Sequence, residues 1–511
     1  MKKIPTTPSV FTFYLSVLGL LGTQFTFFIE KKLHNPFFLL ALPILLLLSL
    51  CLFFRYHLLF YILIFCIPLS IAWEFPNLKL SVLLPSEPLI GLTTVLFLFQ
   101  FFFWGNALRS RFLLEPLSRI VLIYLFSISI STIFSPMPVV SIKALIVRFC
   151  YVISFFIVTQ QLGKQFENWR IFYSAYTLSF LVVIAWVWLQ HASYGFSKDT
   201  SGLVTRPFYA DHTIYSTCAS VLLPFWVAFF LQKKSQWFYR LVYAIIVLVL
   251  LLAIFLAASR AAWLSLGITI IFFTYLLFKL PFRYILYISG IAAVALGLFK
   301  DNIAEKLKSN RIDSNAKKSG AIEQIQSISN IRSDWSNLER INRWSCAFRM
   351  FLERPITGFG IGTYQFTYVS FQREKEMTPI SVRNPYSSHI INGGNAHSEF
   401  FNLLSEAGFL GGLSWLLLFI ISMKQGFELC YQTAIPTQEK GLIYASVCGL
   451  FIYFCNGTFN SFLDTDKAAF LFWSNLALIA SFWQRYIKSS YNEQKNFFSY
   501  WLHGLGQNNT R

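Results

Sequence analysis

His397 stands in Asn395-Ala-His-Ser-Glu399, at the exit of a polar segment, 300–408, in a chain otherwise made of long apolar runs. A titratable, aromatic-rich segment inserted between membrane spans is the natural seat of chemistry. The spacing predicts a short helix over 396–407, with Asn395 as N-cap and Gly408 as its stop. On that reading His397 lies in the first turn. The positive helix end there lowers a histidine's pKa and favours the neutral base, which can take a proton from an attacking hydroxyl. A histidine serving only a structural hydrogen bond is the competing reading.

Three arginines are the next candidates. Arg206 lies in Thr205-Arg-Pro-Phe-Tyr209, and Arg260, in Ala258-Ser-Arg-Ala261, interrupts a long apolar stretch. Arginine near hydrocarbon is costly unless it snorkels or binds something, and its planar fork suits bidentate phosphate contacts. Arg343 is similar, on a predicted helix. A solvated loop charge at Arg206 and a snorkelling turn marker at Arg260 are the alternatives. Asp464 and Asp466 flank a later loop, where they either orient a reacting group or are simply solvated. Gly358-x-Gly360-x-Gly362 reads as a flexible turn, since no strand precedes it as a nucleotide-binding loop requires. Acidic residues are sparse, with no DxD pair and no HExxH, so neither a metal nor a cofactor is expected.

The elements that must position these residues are set by composition. The chain has 511 residues, 56% hydrophobic and 19% aromatic, with a net charge of +19. Bilayer is the only solvent that suits such a chain. The basic residues are scattered among short loops, which fits retention of cytoplasmic loops and attraction to anionic lipid or phosphate rather than nucleic-acid binding. Of eight cysteines, seven lie in or beside apolar runs, and none shows metal or disulfide spacing. Met1-Lys-Lys3 leads into an apolar run without a convincing cleavage site, so the first span is read as uncleaved.

The fold expected is all-α: a polytopic membrane protein of about 14 transmembrane helices (12–14), each long enough for a bilayer. The spans fall near 9–29, 37–54, 57–73, 88–105, 119–135, 141–160, 171–190, 214–231, 240–258, 261–279, 282–299, 409–425, 440–456 and 468–485. This gives helices through 1–299, a large external loop at 300–408, further helices within 409–490 and a tail at 491–511. The Lys/Arg bias of the short loops puts the N-terminus and the tail in the cytoplasm, with Lys31 and Lys32 as the main dissent. On that topology Arg206, Arg260 and His397 share the outer face. Within the large loop, 300–338 is polar and loosely structured. Residues 339–354 carry Ile341, Trp344, Phe348, Phe351 and Leu352 at helical spacing, Arg343 faces the other side from Phe348 and Phe351, and Pro355 ends the helix.

Four stretches together resemble the O-antigen ligase and O-antigen polymerase family of bacterial membrane glycosyltransferases. They are Arg206-Pro-Phe-Tyr209-Ala-Asp211-His212 onward, Ala258-Ser-Arg260-Ala-Ala-Trp263, Arg343-Trp344 through Arg354-Pro-Ile-Thr-Gly358-Phe-Gly360-Ile-Gly362, and Ala396-His397-Ser-Glu399 through Glu406-Ala-Gly408. The resemblance covers about 200–425. Ser398 stands where the family often has Asn, and Tyr209-Ala-Asp-His212 where it often has an Asn-Pro-Asn-like run.

The resemblance implies transfer of an undecaprenyl-diphosphate-linked glycan at the periplasmic face of the bacterial inner membrane. The acceptor is a lipid A core or a growing glycan, and no nucleic acid is involved. Arg206 and Arg260, joined by Arg343, would hold the donor diphosphate, His397 would be the base, and Tyr209, His212, Glu399 and Asp464 would support them. A metal is unnecessary where arginines neutralise the leaving group. Ligase-type transfer is favoured because one outer loop dominates, with repeat-unit polymerisation as the alternative. A lipid-linked glycan transporter is the reading from another class, but no pseudo-repeat is visible and charges inside spans, such as Arg148, are few.

Overall fold

The computed structural model describes residues 56–75, 80–104, 115–197, 200–232, 236–278, a few positions within 283–290, 335–373, 376 and 394–507. The spans expected at 9–29 and 37–54, most of that at 282–299, and the polar stretch 300–334 lie outside the described residues. The chain divides into two compact units, 1–63 and 64–511.

A short helix, α1 (Tyr56–Cys66), occupies the start of the span expected at 57–73, but it does not continue across it. Pro68 lacks the N–H that a further turn needs. The chain turns at Ser70, whose hydroxyl donates to the Ile67 carbonyl at 2.8 Å. It then pairs β1 (Ile71–Phe75) antiparallel with β2 (Leu80–Leu84), in register Ile71↔Leu84. This hairpin is the one departure from an all-helical reading among the described residues.

Among the described residues, the regular elements after it are all helical. The helices are α2 (Ser86–Trp104), α3 (Pro116–Ile133), α4 (Pro138–Leu162), α5 (Phe166–Ser193), α6 (His212–Phe230), α7 (Trp237–Leu256) and α8 (Arg260–Leu277), followed by α9 (Trp335–Glu353), α10 (Glu399–Tyr431), α11 (Thr437–Gly457) and α12 (Asp466–Gln507). Eight of these, α2 to α8 and α10, are long and apolar enough to cross a membrane. The protein is therefore a multi-pass membrane protein. Helices α11 and α12 cover the last two expected spans without being among the eight, and the fuller count stays an expectation. Many outward side chains are large and apolar, including Ile245, Leu248 and Phe255 on α7, as hydrocarbon solvent requires.

Local signals explain the boundaries. Helix α3 starts at Glu115, whose carboxylate accepts the N–H groups of Leu117 and Ser118, with Pro116 at the first helical position. Helix α4 changes to π-helical winding over Val152–Val158. Packing runs inward from α6, against α7 and α11, and from α10, against α3, α9 and α11. Helix α10 is bent at Gly408, where φ is 67° and ψ −160°. The glycine stop foreseen at that position is real, but a second helical segment follows it at once.

Candidate active site

His397 is half-buried and lies before the first helical residue of α10, Glu399, rather than in its first turn. Asn395 is not the N-cap. It makes an Asx turn instead: its Oδ1 accepts the His397 N–H at 3.0 Å. The histidine takes φ of 51°, a left-handed conformation costly for most side chains and held here by its surroundings. Trp344 Nε1 donates to the His397 carbonyl at 3.2 Å, and the indole stacks on Phe401. Inside α10, Asn402 completes the hold. Its Oδ1 accepts the Ala396 N–H at 3.3 Å, and its Nδ2 donates to Glu406 at 3.1 Å.

Helix α9 approaches this loop with a face that mixes polar and apolar residues. Glu339, Asn342, Arg343, Cys346, Ala347 and Met350 are buried, whereas Phe348 and Leu352 are exposed. The apolar stripe legible in the sequence is therefore not the buried face. Polar residues turn inward because they have partners there. Arg343 Nε donates to Glu339 at 2.9 Å, its Nη1 donates to the Asn395 carbonyl at 2.9 Å, and its guanidinium lies 5.0 Å from the Tyr368 ring centroid. Arg343 thus ties the histidine loop to α9. Burial, with positive charge from Arg343 and then Arg340, lowers the His397 pKa to about 4, against a smaller opposing pull from Asp211. The neutral form expected from the sequence is favoured, but by desolvation and arginines rather than by a helix end.

Asp211 within electrostatic reach of His397 brings the loop before α6 to the same place. Asp211 caps α6, accepting the Thr213 N–H at 3.0 Å, and its Oδ1 lies 2.9 Å from His212 Nδ1. Burial pushes its pKa up, but the hydrogen bond and charge of His212 and the bonds from Thr213 outweigh that and hold it near about 2. Its negative charge opposes that of the two arginines at the histidine.

Arg206 is exposed and makes no side-chain hydrogen bond or ion pair among the described residues, while its carbonyl accepts Trp186 Nε1 at 3.1 Å. Tyr209 is buried, with its ring 5.3 Å from Lys467 Nζ. Arg260 is half-buried at the first position of α8, after a tight turn in which Ala258 has φ of 51°. Arg343, Arg340 and Asp211 act on His397 through their charges.

Glu399 and Asp464 meet through one loop. Glu399 is buried and accepts the N–H groups of Phe462 and of Leu463, the latter at 2.8 Å. Asn395 Nδ2 donates to the Ser461 carbonyl at 3.2 Å. Asp464 pairs with Arg148 of α4 at 2.7 Å, and Asp466 is fully buried, accepting Ser70 Oγ at 3.0 Å. Neither aspartate is the freely solvated loop charge that was one reading of the sequence.

The glycine turn is also other than expected. Gly358, Gly360 and Gly362 all have positive φ, and the turn is jammed rather than loose. A Cβ on Gly358 would lie 2.3 Å from the Glu406 carbonyl oxygen, and one on Gly408 would lie 2.5 Å from that of Ile356. Phe359 and Gly360 donate to the carbonyls of Ser405 and Glu406, and Phe409 donates to that of Pro355 at 2.8 Å. Glu406 Oε1 accepts the Tyr364 N–H at 3.0 Å. The turn clasps the kink of α10, and so fixes the helix whose N-terminus carries His397.

Arg340 and Asn402 were not singled out from the sequence, and Glu406 and Arg148 were noted there without a role at this site. Asn402 and Glu406 are four residues apart on an otherwise apolar helix, a usable signal of a buried polar face. Arg148 carried the plainest one, a charge inside a membrane span. Among the described residues, no three His, Cys, Asp or Glu side chains gather as a metal ion would need.

Residues 245–416 match the family model described as O-antigen ligase. The resemblance read from the motifs therefore stands. The match takes in Arg260, Arg343, the glycine turn, His397, Glu399 and Gly408, while Arg206, Tyr209, His212 and Asp464 lie outside it. No curated protein matches the chain.

Proposed function

We propose that this protein transfers a glycan from undecaprenyl diphosphate to an acceptor hydroxyl at the periplasmic face of the bacterial inner membrane, with His397 as general base. The O-antigen ligase match supports a glycan transferase of ligase or polymerase type acting on a lipid-linked glycan, with a lipid A core acceptor in general terms. The observation that carries the reading further is the state of His397. It is a desolvated imidazole, kept neutral, on a strained backbone held by α9, by Asn402 of α10 and by its own Asx turn.

In the proposed step the acceptor oxygen attacks the anomeric carbon of the donor sugar, and its proton passes to His397. A new C–O bond forms while the bond to the diphosphate breaks, and undecaprenyl diphosphate leaves with the electron pair. Arg206 and Arg260 hold the diphosphate, with Arg343 behind them as both a charge and a clamp. Fixed guanidinium groups stabilise the leaving anion without reorganising as charge develops. An imidazole with a pKa near 4 is a weak base in the free enzyme. The arriving diphosphate offsets the arginine charge that depresses it, so donor binding raises its basicity toward the working pH. Ligase-type transfer is favoured over polymerisation because one outer segment supplies the base, its clamp and the glycine clasp.

The experiment is transfer in vitro with purified protein, undecaprenyl-diphosphate-linked glycan and a lipid A core acceptor, beside His397→Ala. A mass increase on the acceptor that needs His397 supports ligation. Lengthened glycan on the carrier, with the acceptor unchanged, selects the polymerase. No new bond in either assay, with transport retained, selects the transporter.

A further inference from the structure

Arg148 is the buried charge of α4, whose other charge, Lys143, is exposed; it lies ten residues beyond Pro138 and so about 15 Å along the helix axis. Its side chain is 4% exposed, and that of its partner Asp464 is 52% exposed. Nη2 donates to Asp464 at 2.7 Å, Nη1 donates to the Tyr124 hydroxyl at 2.9 Å, and the buried Nε has no hydrogen-bond partner among the described residues. A buried arginine in a span is expensive, and it persists where it does something. The π-helical winding begins four residues later, at Val152, a feature frequent beside functional sites.

The partner explains the arrangement. Asp464 ends the loop stretch 461–464, whose backbone is held against the histidine segment at three points. The Ser461 carbonyl accepts Asn395 Nδ2, and the N–H groups of Phe462 and Leu463 converge on Glu399. Asn395 and Glu399 flank His397 on either side, two residues away each. The stretch is bound to the bundle at its far end by Arg148.

We propose that Arg148 is a positioning residue for transfer: it anchors Asp464, and through the 461–464 stretch it fixes the two residues that bracket His397. It touches neither substrate nor the reacting atoms. Releasing it leaves Asn395 and Glu399 bonded to a loop that can drift, and His397 moves with them. A displacement of about 1 Å at a reacting group can cost about 100-fold in rate.

This inference rests on His397 as the base, and the experiment separates the two. Arg148→Met, Asp464→Asn and the exchange Arg148→Asp with Asp464→Arg are compared with wild type and His397→Ala. The measurements are kcat, donor KM, the pH–rate profile and the rate at which diethyl pyrocarbonate modifies His397, followed by mass spectrometry. The expected result is a kcat loss of about 10- to 100-fold in both single variants, with donor KM within about twofold. His397 is modified faster in them. The acid limb of kcat/KM moves upward, because a loosened imidazole is less desolvated and lies farther from Arg340 and Arg343, while Asp211 opposite is unchanged. The exchange restores part of the rate.

Unchanged kcat and unchanged His397 reactivity in Asp464→Asn would overturn the proposal, and so would a loss confined to donor KM, which would make Arg148 a binding group. Should Arg148→Met fail to fold, Asp464→Asn alone decides, since its side chain is half-exposed. Full activity of His397→Ala would instead overturn the catalytic reading of the histidine, whereas faster modification of His397 in the single variants would still support the anchor.

Discussion

Alanine at Gly408 tests whether the kink in α10 holds the active histidine. The residue has φ of 67° and ψ of −160°, a region almost closed to side chains. Its new Cβ would sit 2.5 Å from the Ile356 carbonyl oxygen and 2.7 Å from that of Pro355. Both are backbone atoms, so no side chain can rotate out of the way. Strain of this kind costs about 1–3 kcal/mol. Overpacking against a fixed neighbour adds about 1–3 kcal/mol. The sum, about 2–6 kcal/mol, exceeds the tenfold step of about 1.4 kcal/mol even at its lower end, so the clasp between the glycine turn and the kink opens rather than tolerates the change. The Phe409 to Pro355 bond at 2.8 Å and the Gly360 to Glu406 bond at 2.9 Å break with it. Glycan transfer is measured beside thermal unfolding in detergent, with Gly267→Ala as the control. Gly267 lies in a membrane helix and has nothing within 4 Å of a new Cβ, so its replacement is neutral to mildly stabilising. The expected result for Gly408→Ala is a lower melting temperature and a rate at least tenfold down. Wild-type melting and rate in Gly408→Ala would refute the clasp as the support of His397.

The remaining predictions concern charge and pH. Because burial and the arginines lower the His397 pKa to about 4, kcat/KM should stay level down to about pH 5 and fall through about pH 4; a limb near 6.5 would show that the imidazole is not desolvated in the free enzyme. With donor bound, the acid limb of kcat should lie higher than that of kcat/KM, and coincident limbs would remove the donor's influence on the base. The same depressed pKa makes stability fall as pH drops from about 6.5 toward about 4, since in that window the unfolded chain binds the proton first; the unfolding midpoint of wild type should fall relative to that of His397→Gln across it, and a constant difference would contradict the depressed pKa. Arg343→Lys keeps a charge but cannot serve both Glu339 and the Asn395 carbonyl, so kcat should drop by about tenfold or more, and a normal rate would reduce Arg343 to a point charge. Arg260→Lys should raise donor KM sharply if its fork grips the diphosphate, and near-normal transfer would argue against that role.

Composition and the length of the apolar runs were enough to set the solvent and the class of fold. Apolar runs of bilayer length cannot be satisfied in water, and a helix is the structure that closes its own backbone hydrogen bonds, so multi-pass α-helices followed from composition alone. The motif residues were legible too: Arg260 interrupts an apolar stretch, Arg343 and His397 lie in a polar segment between apolar runs, and the family match covers all three. Gly408 as a helix stop was readable for the same local reason, a residue free to take positive φ. What the tertiary structure decided is which of those residues act on one another. The pKa of His397 depends on arginines more than fifty positions away and on desolvation, neither of which local spacing encodes. The buried face of α9 carries Glu339, Asn342 and Arg343 beside Cys346, Ala347 and Met350, because Arg343 finds the Glu339 carboxylate and the Asn395 carbonyl there, so the periodicity that included Phe348 and Leu352 pointed to the wrong side. The glycine turn looked flexible because glycine permits motion, yet here it permits close approach, and only the neighbouring carbonyls distinguish the two. Arg148 and Asp464 lie 316 positions apart, and a charge in a span announces that a partner exists without saying where it is.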